Sequence, residues 1–356
     1  MFPITIVAGL LLLVSGFSPS VKPSYIESIA LLGLAFPYLY FANVVILIYW
    51  GIQLRLKSIF PLAILLINFN GISLYLQWNS SVKEVETHDI NVITYNANLF
   101  GYYDEKWHVD SICDIIKSTS ADIVLLQEIY DKHGDIERMR KYLQKELSLD
   151  YGVVSKLSNN REYGMCILSR YPIKNWDKIR FGRNTGNMFM YADLELSDPQ
   201  SQNRRTIRVY NIHLQSVRFD KADYQNMESI LNDEPGSSNT EGIITKLKSA
   251  YSKRTPQVQT LKKELEMCKL TKIIGGDFND APMSYTYHEL SEDLKDAFTQ
   301  RGSGLETTYK GLFPSFRIDY LLYSDAMECK SYKSFSEMPG DHKMIATRLN
   351  TKPLFE

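Results

Sequence analysis

A chain of 356 residues is long enough for one large domain with additional segments, and its 40 basic and 41 acidic residues nearly cancel. Only four of these charges, Lys22, Glu27, Arg55 and Lys57, fall in the first 80 residues, which leaves 37 basic and 40 acidic residues in 81–356. This balance argues against a protein held to nucleic acid by bulk positive charge, but a nuclease whose bound metal supplies positive charge locally stays open.

Three apolar runs in the first 80 residues predict about three transmembrane helices, at roughly 1–18, 25–50 and 58–77. A helix needs about 20 apolar residues to cross a bilayer, and the second and third runs meet this length while the first is marginal. The first run lacks the basic start and the cleavage site of a signal peptide, so we interpret it as a span. The alternative is a buried helical hairpin of a soluble domain, but three nearly uncharged runs would leave nothing to face water.

The charges of the loops between these runs predict the orientation. Arg55 and Lys57 lie between the second and third runs, and only Lys22 lies between the first and second. The positive-inside tendency therefore places the Arg55–Lys57 loop in the cytoplasm, and three spans deliver the rest of the chain to the extracytoplasmic side. The sequence thus predicts a multi-pass membrane protein with the lipid bilayer as a partner.

After a polar linker at 81–87, residues 88–356 alternate between strand and helix patterns. The predicted strands are Ile90–Asn96, Asp122–Glu128, Gly164–Ser169, Met188–Leu196, Ile207–Leu214, Lys272–Gly276, Arg317–Tyr323 and Lys343–Leu349. The predicted helices are Val109–Ile116, Asp135–Leu147 and Tyr285–Thr299. Residues 217–262 are polar, with a turn-rich centre at Asn232–Asn239 flanked by predicted helices. The pattern predicts an α/β domain in which helices surround a core of two β-sheets.

Polar or acidic side chains recur at the carboxyl ends of the predicted strands. They are Asn96, Glu128, His213, Asp277, Asn279, Asp319, Asp341 and His342. Each is a weak signal alone, because a glutamate at a strand end is usually solvated and a histidine in a strand is usually a hydrogen-bonded core residue. A Gly-Asp-x-Asn sequence is often only a turn.

Together these side chains offer the groups that metal-assisted phosphoester hydrolysis needs. Glu128 and Asp341 supply carboxylates of the kind that Mg²⁺ prefers, with Asn96 beside them. Asp277 can orient or deprotonate a water, and Asn279 can donate to phosphoryl oxygens.

A histidine and a carboxylate complete the set. His342 can donate to a phosphate oxygen or to the leaving group. A buried carboxylate such as Asp319 would fix the tautomer of this histidine and favour its charged form.

The ordered motifs TYN, LLQE, YGMCILSRYPI, NIHL, GGDFND, RIDY and GDH resemble the endonuclease/exonuclease/phosphatase superfamily, over residues 88 to about 350. That group includes deoxyribonuclease I, the abasic-site endonucleases, neutral sphingomyelinases and inositol-polyphosphate phosphatases. The resemblance implies a four-layer α-β-β-α sandwich of two mixed β-sheets flanked by helices. It also implies a metal-dependent phosphoesterase that uses Mg²⁺, with Mn²⁺ as an alternative.

The resemblance assigns a role to each matching residue. The metal residues are Asn96, Glu128 and Asp341, of which Glu128 is the principal ligand. The catalytic residues are His213, Asp277, Asn279, Asp319 and His342. Asp277 positions the nucleophilic water, Asn279 stabilises the transition state, and Asp319 partners His342.

Three positions depart from the family pattern. Many members have Ser where this chain has Gly340, and Asn-Ala where it has Met165 and Cys166, a position that reads as strand packing. The acidic partner that His213 has in deoxyribonuclease-like members has no clear motif here. Glu162 is the nearest candidate.

Several residues outside the motifs keep alternative interpretations. Arg254, with Gln257, either contacts phosphate or lies on a solvated helix face. Thr308 and Tyr309 are expected to border the pocket or to be ordinary surface residues. Residues 217–262 are expected to form a loop that affects substrate choice.

The four cysteines are Cys113, Cys166, Cys268 and Cys329. They form no CxxC pair, which argues against a zinc site. Their even number permits disulfides, but we expect buried thiols that pack as small apolar side chains.

The sequence leaves the substrate open among nucleic acid, phospholipid and small phosphoesters, and it implies no protein partner. The alternative to an enzyme is a catalytically inactive membrane-tethered binding module, which predicts that a catalytic residue is missing, and none is. A transport protein is disfavoured, because the apolar runs contain no charge except Glu27 near an edge.

Overall fold

The computed structural model describes residues 1–104, 106–157, 163–182, 186–231, 240–311 and 316–356, which divide into two compact units. The helical unit comprises Met1–Gln77, Ser216–Lys262 and Asp280–Glu292. The sheet unit comprises Trp78–Gln215, Lys263–Asn279 and Asp293–Glu356. The polar segment at the start of the sheet unit is hydrogen-bonded to it, since the N–H of Asn79 donates to the carbonyl of Gly302 at 3.1 Å.

The helices are α1 (Phe2–Gly16), α2 (Glu27–Leu34), α3 (Phe36–Ile52), α4 (Ile59–Ile67), α5 (Phe69–Ser73), α6 (Val109–Ser118), α7 (Ile136–Glu146), α8 (Lys221–Leu231), α9 (Thr240–Met267), α10 (Tyr285–Ser291) and α11 (Ala297–Arg301). The strands are β1 (Leu76–Trp78), β2 (Asp89–Asn96), β3 (Ile123–Tyr130), β4 (Tyr151–Lys156), β5 (Tyr163–Ser169), β6 (Ile173–Arg180), β7 (Met188–Ser197), β8 (Arg204–His213), β9 (Thr271–Asp277), β10 (Lys295–Asp296), β11 (Ser303–Leu305), β12 (Asp319–Tyr323), β13 (Glu328–Phe335) and β14 (Met344–Asn350).

Two six-stranded mixed sheets build the sheet unit. The first has the order β13-β14-β2-β3-β5-β4, and the second has the order β10-β12-β9-β8-β7-β6. The pairs β2–β3 and β8–β9 are parallel, and the other pairs are antiparallel. The prediction of an α/β fold with two mixed sheets flanked by helices is therefore confirmed.

Among the described residues of the sheet unit, two apolar layers flank the first sheet. Inward-facing side chains of both sheets meet in one layer, for example Leu125 of β3 and Val209 of β8, which are fully buried. Helices α6 and α7 cover the outer face of the first sheet through residues such as Ile112 and Leu143. Helix α7 begins at Asp135, whose side chain accepts from the N–H groups of the first turn as an N-cap.

A buried polar network joins the two sheets beside the residues of interest. Gln127 of β3 donates through Nε2 to Oδ1 of Asn211 on β8 at 2.6 Å and to Oγ1 of Thr94 on β2 at 3.1 Å. Asn211 donates through Nδ2 to the carbonyls of Leu126 at 3.0 Å and Cys166 at 2.8 Å. Because misplaced polar groups in this core would lose their partners, the network fixes the register of one sheet against the other.

Helices α1, α3 and α4 pack around a small apolar core in the helical unit. Leu12, Phe36 and Ile64 form this core together with Tyr75 and Met283. Polar side chains also tie the helices together. The indole Nε1 of Trp50 donates to Thr5 Oγ1 at 2.9 Å, and Asn43 Nδ2 donates to the carbonyl of Ala8 at 3.1 Å.

The structure of the helical unit contradicts the prediction of three complete membrane-spanning helices. Among the described residues, one helix, Phe2–Ser20, is long and apolar enough to cross a membrane. Glu27–Leu34 and Phe36–Ile52 meet that standard only as a pair, bent by 57°. Pro37 explains the bend, because a proline at the start of α3 cannot continue the preceding helix. The third predicted span contains most of the shorter helix Leu56–Ile67, about 18 Å long against a bilayer core of about 30 Å, and then the short helix α5.

The other predicted elements mostly lie where expected, with one clear error. The helix expected at Tyr285–Thr299 is interrupted, since α10 ends at Ser291 and strand β10 precedes α11. All four cysteines are buried free thiols, as predicted. Burial raises the pKa of the Cys166 thiol to about 12, so it is an apolar packing residue.

Candidate active site

Three of the predicted site residues lie in one row across the second sheet. His213 ends β8 and pairs with Asp277, which ends β9. Asp277 in turn pairs with Asp319, the first residue of β12. The parallel pairing of β8 and β9 brings their carboxyl ends to the same edge, which is where sequence analysis placed the chemistry.

The first sheet adds its own strand ends to this row. Asn96 ends β2, and its Nδ2 donates to Asp277 Oδ2 at 3.1 Å. Glu128 lies near the end of β3, with its Oε1 3.5 Å from His213 Nε2. His342 precedes β14, and its Nε2 lies 3.8 Å from Asp277 Oδ2. The Nε2 atom of His213 lies at the same distance, 3.8 Å, from that oxygen.

His342 and Asp319 form a buried pair. Both carboxylate oxygens of Asp319 lie within hydrogen-bond distance of His342 Nδ1, at 2.9 and 3.1 Å. Burial lowers the pKa of His342, but the charges of Asp319 and Asp277 outweigh it and raise that pKa well above its ordinary value. The pair therefore stabilises the fold below the unfolded pKa of about 6.5, and this contribution is lost as the pH rises through the raised pKa of folded His342.

Asp277 is almost completely buried, at 1% exposure. Burial is the first cause that raises the pKa of Asp277, to about 6, and the charge of Asp319 adds to it. The two histidines oppose this shift, and the N–H of Asn279 donates to Asp277 Oδ1 at 2.8 Å. A carboxylate with this pKa is ionised near neutral pH and can still accept a proton, which is what a general base requires.

Two of the site residues adopt left-handed backbone conformations. Glu128 has a φ of 49° and Asn279 a φ of 54°. Glu128 lies at an irregularity in the β3–β5 pairing, between Leu126 and Ile129. Asn279 is held by its Nδ2, which donates to the carbonyl of Leu214 at 3.0 Å. Such conformations cost about 1–3 kcal/mol each, and they concentrate at functional sites, where they aim a side chain.

The donor groups fit a divalent ion that prefers oxygen. The side chain of Glu128 stays 26% exposed beside the buried groups, so it can reach an ion that enters from solvent. Ligand atoms of Asp277, Asp319 and His342 also lie within 4.8 Å of one another. His342 is favoured in its charged form, and a protonated imidazole is not a ligand. In its charged form, His342 therefore does not complete a metal site with Asp277 and Asp319.

The structure corrects both interpretations of Arg254. Its Nη1 lies 2.6 Å from Asp280 Oδ2, and both side chains are buried within the helical unit. Asp280 also accepts from Thr286 Oγ1 at 2.7 Å. Arg254 is neither a phosphate ligand nor a solvated residue, because its charge balances a buried carboxylate. Gln257 is also buried, at 5% exposure.

The structure also shows the surroundings of most other residues that the sequence singled out. Thr308 Oγ1 accepts from the backbone N–H of Asp319 at 2.9 Å, so the buried Thr308 holds the backbone at Asp319 rather than lining a surface. The ring of Tyr309 meets the ring of His342 edge-on, with centroids 5.5 Å apart. Met165 and Cys166 are fully buried in strand packing. Glu162 lies outside the described residues.

The backbone conformation at position 340 explains why this chain has glycine where many family members have serine. Its φ is 80°, a conformation that favours glycine. A Cβ atom at this position would lie 3.3 Å from the Cβ of Asn98. A serine would therefore be strained here and crowded by Asn98.

Sequence reasoning missed Asn98. Its Nδ2 donates to Asp341 Oδ1 at 2.8 Å, and its N–H donates to Asn96 Oδ1 at 3.0 Å. Only its position two residues after Asn96 could have drawn attention to it, because no motif contains it.

Three comparisons with known proteins bear on this site. The model of the endonuclease/exonuclease/phosphatase family matches residues 93–342, and the model of a domain of unknown function, DUF8431, matches residues 1–75. A search of curated proteins gave no significant match.

Solved structures share the fold at low sequence identity. An endonuclease/exonuclease/phosphatase from Bacteroides vulgatus is 15% identical, with a TM-score of 0.50 over 73% of this chain and 98% of that one. Mannosyl-6-phosphatase Bt3783 of Bacteroides thetaiotaomicron VPI-5482 is 14% identical, with a TM-score of 0.50 over 73% and 99%. ANGEL2, a 2′,3′-cyclic phosphatase, is 14% identical, with a TM-score of 0.51 over 73% and 95%.

These likenesses show the fold alone. The family model, however, covers more than half of the chain and includes every predicted site residue from Asn96 to His342. The strand ends that carry those residues converge as described above. The chain belongs to the endonuclease/exonuclease/phosphatase family.

Proposed function

We propose that this protein is a divalent-metal-dependent phosphoester hydrolase, which cleaves phosphodiester or phosphomonoester bonds by attack of an activated water. The observation that carries the proposal is the environment of Asp277. Its Oδ2 lies 3.8 Å from the Nε2 atoms of both His213 and His342, and it accepts from Asn96 at 3.1 Å. A buried carboxylate, a charged histidine and the amide of Asn96 therefore meet at one point, with Glu128 Oε1 3.5 Å from His213 Nε2.

Each residue has a separate task in this mechanism. Glu128 and Asp341, supported by Asn96, would hold Mg²⁺ or Mn²⁺, which supplies positive charge for the phosphoryl oxygens. Asp277 orients the attacking water and accepts its proton. Asn279 offers its amide to the transition state.

The two histidines have different roles, one in proton donation and one in orienting carboxylates. His342, kept charged by Asp319, donates a proton or a hydrogen bond to a phosphoryl oxygen or to the leaving group. His213 lies between Glu128 Oε1 at 3.5 Å and Asp277 Oδ2 at 3.8 Å, so it orients both carboxylates.

Asp319→Asn should move the alkaline limb of the pH profile of kcat/KM to lower pH. The carboxylate of Asp319 holds the pKa of His342 well above its ordinary value against the effect of burial, so an amide lets His342 lose its proton at lower pH. We expect about 10²-fold lower kcat/KM at pH 8. An alkaline limb that does not move would contradict the role given to this pair.

The substrate is proposed as a phosphoester in one of three classes: nucleic acid, phospholipid or a small phosphoester. Two structural neighbours are a mannosyl-6-phosphatase and a 2′,3′-cyclic phosphatase, which supports phosphoester hydrolysis without choosing among these classes. Residues 217–262, which are expected to affect substrate choice, belong to the helical unit.

A substrate panel tests the proposal. Full-length protein in detergent is incubated with plasmid DNA, RNA, sphingomyelin, a phosphoinositide, an aryl phosphodiester and a sugar monophosphate, with Mg²⁺ or with chelator. We expect metal-dependent cleavage of one class, and a loss of about 10²-fold or more in His342→Ala. A folded wild type that binds no Mg²⁺ would favour the alternative, an inactive membrane-tethered binding module.

We further propose that the helical unit anchors the protein in a membrane. Large apolar side chains on its helices are exposed, including Val7 at 56% and Leu10 at 52% on α1, and Val45 at 65% and Ile48 at 56% on α3. Exposed apolar surface of this extent is typical of a protein that contacts lipid. The lipid bilayer is therefore the proposed partner.

The proposed orientation places the sheet unit outside the cytoplasm. Arg55 and Lys57 would face the cytoplasm by the positive-inside tendency, and the chain from Leu56 to Ser73 would have to return across the membrane. A reporter fused after residue 80 and active only outside the cytoplasm tests this orientation. A reporter that is active only in the cytoplasm would overturn it.

A further inference from the structure

The chain leaves β2 through a left-handed turn. Asn98, Leu99 and Phe100 have φ angles of 43°, 52° and 56°, and Gly101 follows at 76°. Left-handed conformations are unfavourable for residues with a Cβ atom, so three in succession persist only when their surroundings fix them. Such strain is found where it delivers a side chain to a functional site.

Buried side chains and backbone hydrogen bonds hold this turn in place. Leu99 is 6% exposed and Phe100 is fully buried. The N–H of Phe100 donates to the carbonyl of Ala97 at 2.8 Å, and the carbonyl of Phe100 accepts from the N–H of His108 at 3.1 Å. The buried side chains and these hydrogen bonds hold the strained backbone in place.

The turn places Asn98 between two residues assigned to the ion. Its N–H donates to Asn96 Oδ1 at 3.0 Å, and its Nδ2 donates to Asp341 Oδ1 at 2.8 Å. Asn96 lies at the end of β2 and Asp341 lies ahead of β14, so Asn98 links two segments that are far apart in the sequence.

The turn that contains Gly340 packs against Asn98. Gly340 precedes Asp341 with a φ of 80°, and any Cβ there would approach the Asn98 Cβ to 3.3 Å. The hydroxyl of Tyr95 donates to the carbonyl of Pro339 in the same turn. The two turns thus pack closely against each other, and the missing side chain of Gly340 leaves the space that Asn98 occupies.

We infer that Asn98 is a positioning residue of the metal site, which holds the carboxylate of Asp341 in one orientation by donating to its Oδ1. The inference rests on the proposed metal-dependent function and extends it to a residue outside the seven motifs. Asparagine suits the position, because it tolerates a left-handed backbone better than most residues and still carries a donor. Partners that orient a metal ligand typically change metal affinity or activity about 10–100-fold.

Two variants of the full-length protein separate the amide from the backbone strain. Asn98→Ala and Asn98→Gly both remove the amide, but only glycine adopts the left-handed conformation without strain. We expect the dissociation constant for Mg²⁺ to rise about 10–100-fold in both variants. The melting temperature should fall in Asn98→Ala and fall less or not at all in Asn98→Gly, so the loss of affinity does not follow stability.

Ser148→Gly is the matched control. Ser148 follows α7 on the exposed surface with a φ of 54°, so the change relieves a similar backbone conformation away from the site. Affinity for Mg²⁺ should stay unchanged in this variant.

Amide hydrogen exchange of residues 336–343 in the metal-free protein provides a second measurement. We expect faster exchange in both Asn98 variants and wild-type exchange in Ser148→Gly. Unchanged Mg²⁺ affinity in the Asn98 variants would overturn the inference, whether or not the turn loosens. A folded wild type that binds no Mg²⁺ would instead contradict the proposed function, and the exchange rates would still decide whether Asn98 holds the turn.

Discussion

Asp277→Asn should lower the kcat of metal-dependent phosphoester hydrolysis by about 10²–10³-fold. The variant keeps the shape of the side chain and an oxygen that can accept from Asn96, but it can no longer take a proton from water. Because burial raises the pKa of Asp277 to about 6, activity of the wild type should also fall as the pH drops below that value. The pH dependence of kcat, measured in both proteins, checks this expectation.

Loss of activity in this variant should not reflect unfolding. A carboxyl whose pKa is raised in the folded state stabilises the fold below its unfolded pKa of about 3.9, and that contribution is lost as the pH rises through about 6. A neutral asparagine avoids this loss, so the variant should melt at or above the wild-type temperature at pH 7. Asp325→Asn, at an 81% exposed side chain paired with Lys295, is the control and should keep full activity. Full activity in Asp277→Asn would remove the proposed base.

Asn211→Leu should lower the free energy of unfolding by about 3 kcal/mol. Leucine removes one acceptor of Gln127 Nε2 and takes the Asn211 donor away from the carbonyls of Leu126 and Cys166. Both amide side chains are fully buried, so water does not replace these hydrogen bonds without structural change. Unfolding of the full-length protein by heat and by guanidinium measures the loss.

A double variant tests whether the loss of hydrogen bonds in this network, rather than a change in side-chain volume or shape, explains the lower free energy of unfolding. Gln127→Leu together with Asn211→Leu removes both partners of the central hydrogen bond, so the combined loss should be smaller than the sum of the two single losses. Asn203→Leu, at an exposed position just before β8, should stay within about 0.5 kcal/mol of wild type. Strict additivity of the two buried changes would contradict the coupling that we assign to this pair.

The sequence predicted the central strands because their burial is visible in their composition. Strand β3 is buried on both faces and reads as a continuous apolar run, and β2, β8 and β9 are buried over their C-terminal halves. Their polar carboxyl ends stand out against that background. The parallel pairs β2–β3 and β8–β9 then place those ends together, so most of the candidate site could be predicted without a structure.

The strands that the sequence missed in these sheets lie at the edges. Strands β13 and β4 end the first sheet, and β10 and β6 end the second. Strand β6 is mostly exposed along its length, with a sequence of IKNWDKIR. An edge strand needs no apolar face of the kind that periodicity detects, and charged residues there protect the edge from pairing with other chains.

The left-handed residues were unpredictable for a different reason. Glu128, Asn279 and the turn beginning at Asn98 adopt their conformations because tertiary contacts fix them, and local sequence preference opposes those conformations for Leu99 and Phe100. The pairing of Arg254 with Asp280 was equally hidden, because it joins residues far apart in the sequence. The sequence therefore pointed to the candidate site residues, and the structure showed the contacts that hold them.

The most direct test of the central claim is the rate of phosphoester hydrolysis by the full-length protein as free Mg²⁺ is titrated. Starting from chelated protein and a substrate that the panel identifies, we predict no hydrolysis without the ion and a saturable recovery as it is added. His342→Ala, run in parallel, should bind the ion and recover about 10²-fold less activity. Hydrolysis that persists in excess chelator, or that recovers equally in His342→Ala, would contradict a metal-dependent mechanism centred on Asp277 and His342.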